Sequence, residues 1–292
     1  MHRSLKTTAA AGLAAAALLA GTTTFTGSAE ARGGLGGLLG TSTSAYALGT
    51  DGTTLSRLSV NGLRSPAKLG KVTGLVGDST LVGIDIRPTG GKLYGLGNAG
   101  GVYTIDDRAR ATKVSSLVTE GGAAVALAGS RFGVDFNPAA DRLRVISNTG
   151  QSLRINVDTG VTAVDTSPNL TPGTAKTGIE AVAYTNNDDV AATASGTSLY
   201  DLDAGDDALY QQVPANAGTL VLVGKLGRDF TSISSFDISS RVENGVAVRN
   251  KGYFVGTTAG RTGLYTVDLT TGAVEFERRV DGSVAQIAVR HR

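Results

Sequence analysis

The run Gly83-Ile84-Asp85-Ile86-Arg87-Pro88 returns 50 residues later as Gly133-Val134-Asp135-Phe136-Asn137-Pro138. Self-similarity at a fixed period of this size marks a repeat architecture. Weaker copies follow at Ala181-Val182-Ala183-Tyr184, Phe236-Asp237-Ile238-Ser239 and Gln286-Ile287-Ala288-Val289. A second apolar element follows three of the copies: Lys92-Leu93-Tyr94-Gly95-Leu96, Arg142-Leu143-Arg144-Val145-Ile146 and Gly252-Tyr253-Phe254-Val255. A third element ends on Asp: Val102-Tyr103-Thr104-Ile105-Asp106, Leu153-Arg154-Ile155-Asn156-Val157-Asp158, Leu199-Tyr200-Asp201-Leu202-Asp203 and Leu264-Tyr265-Thr266-Val267-Asp268. Thr159-Gly160 and Thr271-Gly272 then lead into another short strand.

Four short strands in about 40–50 residues are the signature of a propeller blade. The chain therefore reads as an all-β propeller. Five copies of the first element predict five blades of four antiparallel strands. Strand-like material in residues 204–224 keeps six blades open, and a sandwich or solenoid is the other alternative. The last first-type strand has no successor, and Ala45-Tyr46-Ala47-Leu48 is a second-type strand with no predecessor. The C-terminal strand is thus expected to complete the N-terminal blade, which leaves no long exposed edge.

The N-terminus carries a different signal. Arg3 and Lys6 precede an apolar run from residue 9 to 20, and Ala29-Glu30-Ala31 fits a small-x-small cleavage site. Residues 1–31 read as a cleaved secretory signal, since the run is too short to span a bilayer. Residues 32–44, rich in Gly, Leu and Ser, read as a flexible leader, and residues 45–292 as a single propeller domain. The 292-residue chain holds 27 Lys+Arg and 25 Asp+Glu; removing Arg3, Lys6 and Glu30 leaves 25 against 24. That balance gives no reason to expect nucleic acid or acidic membranes as partners. The mature protein is expected to be secreted, monomeric and without membrane insertion.

The absences are informative. There is no Cys, which removes thiol catalysis and Cys-ligated metals. The two His are His2, in the signal, and His291, one residue from the end. Both a Ser-His-Asp triad and a His-ligated zinc site are disfavoured.

The run from Gly133 to Val145 continues through Ser147-Asn148-Thr149-Gly150-Gln151 to Leu153-Arg154-Ile155-Asn156-Val157-Asp158-Thr159-Gly160. It resembles the signature stretch of a bacterial secreted family catalogued as domain of unknown function 4394. The elements at residues 83–88 and 92–97, and Gln212-Val213-Pro214 with Gly218-Thr219-Leu220, fit the same family over residues 44–290. The resemblance implies export and a repetitive β architecture. It implies no catalytic residues.

Two groups of side chains stand out as candidate sites. In the 142–158 hairpin the apolar residues must share one face, so strand partners must have the same parity. A loop with an odd number of residues, such as Thr149-Gly150-Gln151, satisfies this. Arg142, Arg144, Arg154 and Asn156 then share the other face. Arginine forks suit carboxylates and phosphates, so an anionic ligand is one reading. Ion pairing with a neighbouring blade is the other. Asp85, Asp135 and Asp237 hold one repeat position on strands expected to line the channel, where Ala183 and Ala288 stand in the other two copies. They could hold Ca²⁺ or act as an acid/base pair. The structural alternative is a turn-stabilising hydrogen bond beside Gly and Pro.

Other motifs carry less. Asp201-Leu202-Asp203-Ala204-Gly205-Asp206-Asp207 lacks the Gly offset and closing Glu of a calcium loop, and reads as a solvated turn. Asn186-Asn187-Asp188-Asp189 reads as another turn. Gly95-Leu96-Gly97-Asn98-Ala99-Gly100 matches a dinucleotide fingerprint but is followed by a strand, not a helix, so no pyrophosphate site forms. The Tyr residues at 46, 94, 103, 200, 253 and 265 recur at blade positions and read as inter-blade packing. The functional expectation is a secreted non-catalytic binding or scaffold propeller with an unidentified extracellular ligand. The alternative is a carboxylate-dependent extracellular hydrolase, glycosidase- or lactonase-like, that uses the channel aspartates. Beyond a weak case for Ca²⁺, no cofactor is called for.

Overall fold

The computed structural model describes residues 43–60, 66–187, 196–244, 246–280 and 282–290. The signal segment 1–31 and residues 32–42 of the leader lie outside the described residues. Ser44, assigned to the leader on composition, already belongs to the first strand.

The described residues form five four-stranded antiparallel sheets. The first blade contains β1 (Ser44–Gly49), β2 (Thr54–Ser59) and β3 (Ala67–Lys71), with β22 (Val284–Val289) as its inner strand. The second runs β4 (Leu81–Ile86), β5 (Leu93–Gly97), β6 (Gly101–Ile105) and β7 (Ala111–Ser116). The third runs β8 (Phe132–Asn137), β9 (Arg142–Ser147), β10 (Ser152–Ile155) and β11 (Thr162–Val164). A short ribbon follows, β12 (Asn169–Thr171) with β13 (Thr174–Ala175). The fourth blade runs β14 (Ala181–Tyr184), β15 (Leu199–Asp203), β16 (Ala208–Gln212) and β17 (Leu220–Lys225). The fifth runs β18 (Ser232–Glu243), β19 (Val246–Thr258), β20 (Arg261–Val267) and β21 (Val274–Arg279).

The inner strands touch in ring order, β4 to β8, β14, β18, β22 and back to β4. The ring closes as its termini require: β22 pairs with β1 in register Ala45↔Val289, Tyr46↔Ala288 and Ala47↔Ile287. The C-terminal strand completes the N-terminal blade.

Five apolar clusters fill the five seams between blades. The recurrent tyrosines sit in them: Tyr46 and Tyr103 between the first two blades, Tyr94 edge-on to Phe136 in the next seam. The seam between the third and fourth blades differs. Of the third blade's buried apolar side chains, only Ile146 joins its cluster. Polar side chains take up the rest, and they return below.

The repeated glycines have a packing cause. A Cβ on Gly133 would lie 2.9 Å from the Val182 amide nitrogen and 3.1 Å from the Glu180 carbonyl. A Cβ on Gly83 would lie 2.3 Å from Val134 Cγ2. At these two positions the inner strand comes too close to the next for a side chain. Gly133→Ala therefore pushes backbone against backbone. We expect it to cost about 1–3 kcal/mol, read as a fall of several degrees in melting temperature. An unchanged melting temperature would show that the strands can separate freely.

The fourth blade corrects the strand assignment. Leu199-Tyr200-Asp201-Leu202-Asp203 is its second strand, not its third, and residues 204–224 supply its third and fourth strands. The residues that suggested a sixth blade therefore complete the fourth. The 142–158 hairpin has the expected parity, with Arg144↔Arg154 and Leu143↔Ile155. Its odd loop lies one residue earlier, at Asn148-Thr149-Gly150, closed by Ser147 N–H to Gln151 O. Gly150 takes φ of 89°, a left-handed value that glycine adopts without strain. No helix among the described residues is long and apolar enough to cross a membrane.

Candidate functional site

The alternation of a β-strand sends Asp85, Asp135 and Asp237 to the axis of the ring. One oxygen from each lies within 4.8 Å of the other two. All three are buried, at 5%, 1% and 1% exposure. Their hydrogen bonds are not those of turns. Asp85 Oδ2 accepts the Phe136 amide of the next blade at 2.7 Å. Asp135 Oδ1 accepts the Tyr184 amide at 2.9 Å. Asp237 Oδ2 accepts the Val289 amide at 2.5 Å. Each carboxylate thus caps the inner strand of the following blade, one residue past the repeat position. Asp85 Oδ1 also accepts the Ile86 amide of its own strand at 2.7 Å.

Burial raises the pKa of all three. Asp85 is pushed up to about 7, against the pull of the Phe136 and Ile86 amides. Asp135 is raised by burial and by the charges of Asp85 and Asp237. Asp237 is raised by burial and by Asp85. Asp237 Oδ1 is buried with no hydrogen-bond partner.

The arginine hairpin makes a second polar centre, in the seam between the third and fourth blades. Arg144 is fully buried, directly opposite Arg154. Like charges so placed repel. Asp165, just beyond β11, lies between them, 2.7 Å from both Arg144 Nη1 and Arg154 Nε. Burial raises the Asp165 pKa, but the bonds to Arg154 and Arg144 outweigh it and hold the carboxylate below its usual range. Arg144 also donates to Ser152 Oγ at 3.1 Å, and to Asn216 Oδ1 at 2.7 Å and Tyr184 Oη at 3.2 Å, both in the fourth-blade unit. Arg142 and Asn156 do not join this centre. Arg142 donates to the Ala140 and Asp141 carbonyls, and Asn156 Oδ1 accepts the Asp158 amide. The hairpin pairs internally and across the seam, and its main carboxylate comes from its own blade.

Sequence reasoning missed Asp165 and Asn216 of the arginine centre, and further polar residues between and within the blades. Arg87, inside the quoted repeat, bonds Asp141 in bidentate fashion at 2.8 and 2.5 Å and Asp158 at 2.8 and 2.9 Å, strapping the second blade to the third. Asp201 was assigned to a solvated turn. It is instead fully buried on β15, with neither oxygen hydrogen-bonded. Burial pushes it up to about 8, opposed by the charge of Arg144. Asp203 is also buried, paired with Lys176. Asn186 and Asn187 are buried against Asn250 and Ser240 of the long β18–β19 hairpin; Asp188 and Asp189 lie outside the described residues.

The channel opens where the inner strands begin. A cavity of about 430 Å³ lies there, lined by hydroxyls of Thr50, Thr80, Ser130, Ser232 and Ser234, by Arg131, and by apolar Leu81, Phe132 and Val284. Arg131 is 2.5 Å from Glu180. Gln286 lines the cavity and bonds across it through Nε2, to Phe132 O at 3.2 Å and Ser234 O at 2.7 Å.

The sequence profile described as Domain of unknown function (DUF4394) matches residues 54–288. The chain belongs to the DUF4394 family. No curated protein matches this sequence. Among solved structures, this DUF4394 chain is similar to one from a nidogen/laminin complex, at 12% identity and a TM-score of 0.47 over 84% of this chain and 83% of that one. It is similar to a structural genomics protein of unknown function from Bacteroides thetaiotaomicron VPI-5482, at 15% identity and 0.46 over 79% and 54%. TolB from Acinetobacter baumannii matches at 12% identity and 0.44 over 86% and 67%. In this DUF4394 member the candidate chemistry lies with its own side chains. The structure brings Asp85, Asp135 and Asp237 together on the axis, gathers Arg144 and Arg154 at a separate seam, and leaves Arg142 and Asn156 outside both.

Proposed function

We propose that this protein is an exported, non-catalytic binding propeller that takes an extracellular ligand at the mouth of its axial channel. One observation carries the reading. The three axial carboxylates are buried and turned to the amides of neighbouring blades, while the mouth above them is open and lined by neutral hydroxyls. A glycosidase needs two carboxylates roughly 5 Å or 6.5–9.5 Å apart, with the sugar between them. Here the carboxylates converge to within 4.8 Å and are buried, and none of them lines the open mouth. The mouth is neutral apart from Arg131 and Asp51, which suits an uncharged polar ligand held by hydrogen bonds. Export is supported by the charged start and apolar run of residues 1–31.

The test is a turnover assay of the mature protein on glycoside and lactone substrates, alongside glycan and peptide arrays. No turnover is expected, and array binding should be lost in Ser234→Trp, which fills the mouth. Hydrolysis that disappears in Asp135→Asn at an unchanged melting temperature would overturn the reading.

A further inference from the structure

We propose that Asp85, Asp135 and Asp237 form a cation site at the hub of the propeller, suited to a hard divalent cation of the Ca²⁺ class. Geometry comes first. Calcium takes oxygen ligands at roughly 2.3–2.6 Å, so two ligand oxygens on opposite sides of one ion stand about 4.8 Å apart. The three axial carboxylates each place an oxygen within 4.8 Å of the other two. A single ion between them can touch all three.

The second observation is independent of that spacing. Asp237 Oδ1 is buried and has no hydrogen-bond partner. A buried carboxylate oxygen left without one costs free energy, which a coordinated cation offsets. Charge points the same way. Among the ion pairs of the described residues, none involves Asp85, Asp135 or Asp237. Three carboxylates brought together out of water, with no ion pair to answer them, are neutralised either by protons or by a cation, and a bound cation displaces the protons.

Ligand type narrows the ion. The donors are carboxylate oxygens, with no thiolate or imidazole, which suits hard cations and not zinc. Magnesium demands shorter, octahedral bonds and holds its waters, which fits a buried hub poorly. The Gln286 side chain spans the channel on the mouth side of the hub, bonded to the third and fifth blades. An ion there would tie the second, third and fifth blades together and be screened from the mouth.

The test uses the mature wild-type protein, freed of metal with a chelator and titrated at neutral pH with CaCl₂ alone, then with Tb³⁺ as a luminescent reporter. One equivalent of Ca²⁺ per chain is expected. It should raise the melting temperature by about 5–10 °C at a hundredfold excess over the dissociation constant. Asp237→Asn and Asp135→Asn keep a carbonyl to accept the Val289 and Tyr184 amides, and both should lose the Ca²⁺-dependent rise. A wild-type protein that binds no stoichiometric Ca²⁺ overturns the proposal without reference to any variant. Undiminished binding in Asp237→Asn overturns its location.

Discussion

Arg144→Met should lower the melting temperature by about 10 °C, the largest loss expected from one substitution in this protein. The guanidinium is fully buried and holds Asp165, Ser152, Asn216 and Tyr184 at once. Met fills much of the volume but supplies no donor. It leaves Asp165 with Arg154 alone and removes the positive charge felt by Asp201. Removing one partner of a buried charged network costs about 3–5 kcal/mol, and a domain of this size loses roughly 2–4 °C per kcal/mol. Adding Asp165→Asn to Arg144→Met should cost less than the two single losses added together, because both act on one network. If the hairpin arginines were instead a receptor for an anionic ligand, Arg144→Met would leave melting unchanged and abolish anion binding. Thermal melts of the two variants, with and without phosphate, separate these accounts.

The second large effect is one of pH. Asp201 ionises near 3.8 when unfolded and near 8 when folded, because burial disfavours its charged form. Between those values the folded state binds more protons than the unfolded state, so stability falls as pH rises from about 4 to about 8. The loss through this one group reaches about 2–4 kcal/mol by pH 7. Asp201→Asn carries no charge and escapes it. The variant should match the wild type near pH 4.5 and exceed it by roughly 5–10 °C at pH 7.5. The axial aspartates titrate in both proteins, so they cancel in the comparison. Parallel pH profiles would mean that Asp201 ionises as an exposed carboxylate does.

Much of the ring was legible from residues alone. The inner strands announced themselves because the same constraints recur in two or three of the blades. Glycine is needed at residues 83 and 133 where inner strands approach, and Asp at residues 85, 135 and 237 where an amide of the next blade needs an acceptor. Closure followed from an unpaired strand type at each terminus. Parity put Arg144 and Arg154 on one face, but their direct pairing follows from the loop at 148–150 and not from the suggested 149–151. The fourth blade was misread because residues 185–198 separate β14 from β15, which broke the spacing of the other units. The role of the aspartates was misread as a turn contact. Their partners are 49 to 52 residues away, on a strand that local pattern cannot place. Asp165 and Asn216 lie outside the strands of their blades, and no periodicity points from either to Arg144.

At residues 85, 135 and 237 the axial Asp joins its own blade to the next. Amide hydrogen exchange of Asp135→Ala tests it most directly. A buried amide left without its acceptor costs about 1–3 kcal/mol, so the Tyr184 amide should exchange roughly 5–100-fold faster than in the wild type. The Phe136 amide, capped by Asp85, should keep most of its protection. A Tyr184 amide as protected as in the wild type would contradict the claim and leave the axial aspartates without a structural role.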